Sequence, residues 1–201
     1  MNALLKSFSY ILHPIIMPIL GAIIYFSNTP RFFAFELVQA KLIGLFIMTV
    51  CIPVILFFSL KNLGLLDSFH LATVNQRKIP LILQSFILLL VIKIIIDAPT
   101  FPELYFFFLG ALISAISATF IVLFNIKASL HMIGISSITM FTIALSVHFG
   151  INITTLIGLL FIGNGALATS RLIYKAHTHT ELILGISIGM LPQLILVNFW
   201  L

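Results

Sequence analysis

The chain has 201 residues, of which 61% are hydrophobic and only 7% are charged. A mean hydropathy of +1.26, with a charged fraction far below the roughly 25% of soluble domains, excludes an ordinary water-soluble core. The formal net charge of +5 comes from ten basic residues spread over short polar stretches without a basic run. This pattern favours lipid headgroups or a bound phosphate over nucleic acid as the anionic partner.

Seven apolar segments each approach the roughly 17–25 residues that a helix needs to cross a bilayer. In chain order they are Phe8–Ser27, Leu42–Leu60, Pro80–Ile96, Leu104–Phe124, Ser129–His148, Ile151–Thr169 and Leu182–Leu201. The first is too long for a signal-peptide core and lacks a cleavage pattern, so we expect a retained helix. The sequence therefore predicts a single all-α integral membrane domain over residues 1–201, with about six to seven transmembrane helices.

Three polar stretches interrupt the apolar segments: Asn75–Pro80, Lys127–His131 and Ser170–Glu181. Two predicted spans separate each stretch from the next, and an even number of crossings returns the chain to the same membrane face. We therefore expect the three stretches to converge. Basic residues favour this face as the cytoplasmic one, but several of them are also site candidates, so the orientation stays open. We expect a multi-pass protein of a bacterial inner membrane.

The third stretch contains the most reactive set of side chains. His177 and Glu181 are four residues apart and share a face if the last helix begins here. A carboxylate that accepts from one imidazole nitrogen makes the other nitrogen a better nucleophile. Arg171, at the end of the preceding helix, has the planar fork that suits a phosphate.

The other two stretches add cations and a second histidine. Ser129 and His131 lie at a predicted helix start, where free N–H groups and the helix dipole favour an anion, and Lys127 precedes them. Arg77 and Lys78 come from the first stretch. Two histidines, one carboxylate and several cations are suited to phosphoryl transfer at the membrane surface.

The spacing of these residues resembles the type 2 phosphatidic acid phosphatase superfamily of membrane lipid phosphatases, which is related to the vanadium haloperoxidases. Its third motif, S-R, five residues, H, three residues, D, is similar to Ser170, Arg171, His177 and Glu181, with Glu in place of Asp. Its second motif, P-S-G-H, is similar to Ala128–His131, with Leu130 in place of glycine. The resemblance covers roughly the last eighty residues and is most evident in residues 120–201.

The resemblance implies a phosphatase-like helical bundle and a metal-free, cofactor-free lipid phosphatase. His177 would form a phosphohistidine, Glu181 would orient it, and His131 would protonate the departing alcohol. Arg171 and the N–H groups near Ser129 would hold the phosphate. The first motif, K, six residues, R-P, is not present as written, because His70 lies seven residues before Arg77 and Pro80 comes two residues late. Lys127 is therefore a candidate substitute for the missing lysine.

Two other functions remain open from the sequence. One is a catalytically impaired relative that binds lipid phosphate or acts as a scaffold, and the other is a small transporter or channel. Among the remaining histidines, we expect His13, His70 and His179 to be interface residues and His148 to face the opposite headgroups. His177 and His179 are unfavourably placed for a shared metal, since residues two apart lie on different faces of a helix.

Overall fold

The computed structural model describes residues 2–66 and 73–201, with side chains from Ser7 onward. His70 lies outside the described residues. Within them the chain forms eight helices: α1 (Asn2–Ile11), α2 (Met17–Asn28), α3 (Phe35–Asn62), α4 (Val74–Ile95), α5 (Pro102–Leu123), α6 (Leu130–Phe149), α7 (Thr154–Ile173) and α8 (His179–Val197). One π turn interrupts α3 at Ile47–Cys51, and another ends α4 at Val91–Ile95.

Six of these helices, α3 to α8, are long and apolar enough to cross a membrane. This confirms the all-α, membrane-spanning class. Two of the predicted segments start too late in the chain: α3 begins seven residues before Leu42, and α4 begins six residues before Pro80. Pro80 lies inside the second turn of α4, where its missing N–H removes one hydrogen bond of the helix.

The first predicted span is wrong as one continuous helix. Phe8–Ser27 is divided between α1 and α2, and the break covers Leu12–Ile16. Pro14 explains it, since proline lacks an N–H and disfavours helical geometry at the preceding residue, His13. Ser9 still contacts the end of α7, whereas Tyr25 contacts the start of α5, so the broken arm runs from one end of the bundle to the other.

The helices α6 and α8 form a closely packed parallel pair. Gly185 and Gly189, four residues apart on α8, lie against the backbone of α6; a Cβ on Gly189 would be 2.3 Å from the carbonyl oxygen of Ile133. Small residues at this spacing let two membrane helices approach closely. Because the pair is parallel, the N-termini of both helices meet at one end, where Ser129 N–H donates to the Glu181 carbonyl at 3.0 Å.

A second polar cluster closes the opposite end of the bundle around Glu103, whose side chain is fully buried. This carboxylate accepts hydrogen bonds from Arg31 (2.5 Å) and Tyr25 (3.1 Å) and pairs with His148 (3.1 Å). His148 lies at the end of α6 that the sequence predicted, but its side chain pairs with the buried Glu103 instead of facing the headgroups. Its ring also contacts Trp200, which joins the chain end to this cluster.

Candidate active site

The imidazole of His177 is held by Glu181 just before α8 begins. His177 Nδ1 lies 2.5 Å from Glu181 Oε2, and the side chain of His177 is only 4% exposed. The two residues do not share a helix face as expected, because α8 begins at His179. Instead, Thr178 is the N-cap and Glu181 closes a capping box by accepting from the Thr178 N–H. One carboxylate thus caps the helix and fixes the tautomer of His177.

Lys127 and Arg77 connect the three polar stretches that the sequence predicted to converge. Lys127 donates to the Ala176 carbonyl at 3.0 Å, and its Nζ lies 3.9 Å from Glu181 Oε2. Arg77, which is 4% exposed, donates to the Ala128 carbonyl at 2.7 Å. These contacts join the start of α4, the α5–α6 connection and the α7–α8 connection, so the predicted convergence is confirmed.

The second histidine of the site, His131, contacts the N-terminal arm, by which we mean α1, α2 and the break between them. Its Nε2 lies 3.2 Å from the Ser9 carbonyl, which can only accept, so Nε2 carries a proton. The ring of His13 stands edge-on to that of His131, with 5.4 Å between ring centroids. Ser9 Oγ also bonds to Ser170 Oγ at 2.8 Å. The N-terminal arm therefore contacts two of the three polar stretches, Lys127–His131 and Ser170–Glu181.

Two polar atoms near this cluster are buried without a hydrogen-bond partner among the described residues: Ser129 Oγ and Arg171 Nε. Ser129 is the N-cap of α6, yet its hydroxyl makes no capping bond. A buried polar group without a partner is costly and often belongs to a site that a ligand completes. Both groups can donate to oxygen, so an anion with several oxygens fits their chemistry.

A cavity of about 980 Å³ extends from this cluster into the bundle. Its polar end is lined by Arg77, Lys127, His131, Arg171 and His177. Its remaining walls are mostly apolar and come from α2, α3, α4, α5 and α6, as far as Phe107. The second half of α3, Ile52–Asn62, has no buried residue and borders this cavity from outside the main bundle. The cavity therefore has the amphipathic lining that a phosphate on a hydrocarbon chain requires.

A smaller recess of about 400 Å³ shares part of its lining with the large cavity. Four residues line both spaces: Lys127, Lys175, Ala176 and His177. Glu181 lines the recess but not the large cavity.

Burial sets the charge state of the loop groups in this site. It lowers the pKa of His177 from its ordinary value, although the hydrogen bond to Glu181 opposes the shift. Burial also lowers the pKa of Lys127, again opposed by Glu181. The imidazole of His177 is accordingly neutral at pH 7, as a nucleophile must be.

Not every predicted residue reaches the cluster. Lys78 lines neither cavity, since successive helix residues point about 100° apart and Arg77 occupies the inward position. Leu130 lines the large cavity. His179 is exposed, and no three His, Cys, Asp or Glu side chains among the described residues are grouped as a metal site.

The N-terminal arm contributes residues to the site that the sequence-based prediction leaves outside it. His13 is not a simple interface residue, because it lines the large cavity with Ser9 and Tyr10 and contacts His131. The available signal was His13-Pro14, since a proline inside an apolar span marks a break that exposes polar groups. No protein-family model, no curated protein and no solved structure matches this chain.

Proposed function

We propose that this chain is an integral membrane phosphatase that hydrolyses a lipid phosphate or diphosphate through a phosphohistidine intermediate. The supporting observation is the position of His177, which Glu181 holds: His177 lines the polar end of an apolar cavity together with Arg77, Lys127 and Arg171. Six helices of membrane-spanning length agree with a multi-pass protein. We propose that it lies in a bacterial inner membrane.

The first chemical step uses the free nitrogen of His177. Its Nδ1–H donates to Glu181, so the Nε2 lone pair attacks phosphorus, forming a P–N bond while the P–O bond to the lipid breaks. His131 gives a proton to the departing oxygen. Arg77, Lys127 and Arg171 stabilise the charge on the phosphoryl oxygens, and Ser129 Oγ donates to one of them.

The second step releases the phosphate. Water attacks the phosphorus of the phosphohistidine, the P–N bond breaks, and a proton of the water passes to His131. The water approaches phosphorus in line, from the side opposite His177 that the lipid alcohol has left, where His131 lines the large cavity and accepts the proton. No metal is needed in this scheme, because cationic side chains supply the electrostatic stabilisation.

A lipid-phosphate-binding relative without turnover is the second candidate. The observation that favours it is the bond from His131 Nε2 to the Ser9 carbonyl, which occupies one of the two nitrogens of the proposed acid. A transporter is less well supported: the lining of the large cavity includes none of Tyr25, Arg31, Glu103 or His148 at the opposite end.

The test is phosphate release from a panel of lipid monophosphates and diphosphates by purified protein in detergent, with His177→Ala as the inactive control. We expect turnover on at least one lipid, lost in His177→Ala by about 1,000-fold or more. Equal background release by both proteins on every lipid would refute the phosphatase. Saturable lipid-phosphate binding under those conditions would establish the binding relative instead.

A further inference from the structure

The N-terminal arm meets the site at its break, and a glycine on α6 makes room for it there. A Cβ on Gly134 would lie 2.7 Å from Met17 Cγ and 3.8 Å from Pro14 Cα. Gly134 is three residues after His131 and therefore on the same face of α6. Its missing side chain lets the segment containing His13 approach that face closely enough for the two imidazole rings to touch.

The hydrogen bonds of the arm determine the proton positions on both rings. The Ile15 backbone N–H, which can only donate, bonds to His13 Nδ1 at 3.3 Å, so this nitrogen holds a lone pair and His13 is neutral. The Ser9 carbonyl accepts a hydrogen bond from the Nε2–H of His131. Nδ1 is then the nitrogen of His131 that remains for the substrate.

We propose that His13 is a positioning residue of the site, which together with the Ser9 carbonyl holds the ring of His131 so that Nδ1 serves the leaving group. This inference rests on the proposed phosphatase function. In the reaction, His131 is doubly protonated beside the bound phosphate and gives the Nδ1 proton to the departing oxygen. The Nε2–H of His131 stays hydrogen-bonded to the Ser9 carbonyl throughout, because a backbone carbonyl commonly fixes the orientation of a catalytic imidazole.

The neutrality of His13 matters to this role. A second cation in edge contact with His131 would repel its protonated form, whereas a neutral ring stabilises the orientation without opposing the charge. Among the described residues, the charged or titratable side chains other than His13 that line the cavity with His131 are Tyr10, Arg77, Lys127, Arg171, Tyr174, Lys175 and His177. A phosphate held by the cations supplies the negative charge that favours the protonated imidazole.

The experiment compares His13→Ala, which removes the ring, with His13→Phe, which keeps a neutral ring. Ile11→Ala on the same arm is the control, because Ile11 is exposed and lines neither cavity. We expect His13→Ala to lower kcat about 10-fold with little change in KM, since loss of an orienting partner weakens a catalytic group by about this factor. His13→Phe should recover most of the loss.

Nitrogen-15 NMR of histidine-labelled protein supplies a readout that does not depend on turnover. The resonances of His131, assigned from a His131→Gln sample, should show one Nε2–H tautomer in the wild type and in His13→Phe. In His13→Ala they should show a mixture of tautomers. If the wild type hydrolyses no lipid, the phosphatase proposal fails while the NMR comparison still decides the role of His13.

Two results would overturn the inference. One is an unchanged His131 tautomer together with an unchanged kcat in His13→Ala. The other is a His13→Phe protein as impaired as His13→Ala, which would show that a neutral ring is not what His131 requires. A His13→Ala protein that fails to fold is recognised by its elution profile, and Gly134→Val then replaces it, since a larger side chain there displaces the arm from His131.

Discussion

Glu181 Oε2 lies 2.5 Å from His177 Nδ1 and also accepts the Thr178 N–H at 3.4 Å. The carboxylate that orients the proposed nucleophile is thus also part of the N-terminal cap of α8. A glutamate at this capping-box position reaches back to the N-cap, which a shorter aspartate would do less well.

The two functions of Glu181 separate in a pair of variants. Glu181→Gln retains the length for the capping box but loses the charge, so we expect nearly wild-type thermal stability and turnover lowered by about 100-fold or more. Glu181→Asp retains the charge but shortens the reach, so we expect a loss of about 1 kcal/mol in the free energy of unfolding. Melting curves and phosphate release measured on the same samples test both; equal losses of stability in the two variants would contradict the double function.

The rate of phosphate release should fall as the pH is lowered. His177 must be neutral to attack, and burial lowers its pKa below the ordinary value, so the midpoint of the fall is expected below about pH 6.5. The folded protein resists protonation of His177 more than the unfolded chain does. Its contribution to stability is therefore complete above about pH 6.5 and is lost as the pH falls through the folded-state pKa.

A pH–kcat profile, recorded with His179→Gln as a matched control, checks this dependence. His179 is an exposed histidine two residues away, so its removal should leave the profile in place. A midpoint above pH 6.5 that is unchanged in the control would contradict a buried, neutral His177.

Close packing of α6 and α8 makes their glycines sensitive to added volume. A Cβ on Gly189 would lie 2.2 Å from Ser136 Oγ and 2.3 Å from the Ile133 carbonyl oxygen. Because backbone cannot move aside cheaply, Gly189→Ala should lower the free energy of unfolding by about 1–3 kcal/mol. Thermal unfolding in one detergent measures the loss.

Gly158→Ala on α7 is the matched control for this substitution. Outside its own helix, a Cβ at Gly158 would meet no atom of the described residues within 4 Å. Alanine is also the better helix former, so the stability of this variant should hold or rise. Equal stability of the two variants would show that α6 and α8 are not closely packed at Gly189.

The long helices were predictable from the length of the apolar segments. The convergence of the three polar stretches was predictable because an even number of membrane crossings separates each from the next. The His177–Glu181 pair was predictable from its spacing, and the capping box also has a sequence signature in Thr178-His179-Thr180-Glu181. His13 and Ser9 could not be assigned to the site in the same way. Their contacts with His131 and Ser170 span more than a hundred residues and depend on how the broken arm packs.

Glu103 should contribute to stability without affecting catalysis. Its buried carboxylate pairs with Arg31 and His148 at the end of the bundle opposite the site. Glu103→Gln weakens these charge-assisted hydrogen bonds, so we expect a loss of about 1–3 kcal/mol in the free energy of unfolding. The fluorescence of Trp200, whose ring contacts His148, reports the change directly. Turnover below the melting temperature should stay within about twofold of wild type, as for substitutions distant from a site.

Lys127 is the lysine that we propose stabilises the phosphoryl oxygens. Its Nζ is held by the Ala176 carbonyl and faces Glu181, and the residue lines both cavities that meet at His177. Removing a cation that stabilises the phosphoryl oxygens should lower kcat by about 100-fold in Lys127→Ala. Lys78→Ala is the matched control, because Lys78 lines neither cavity and its loss should leave kcat unchanged. Equal turnover in the two variants would remove Lys127 from the site and leave Arg77 and Arg171 as its cations.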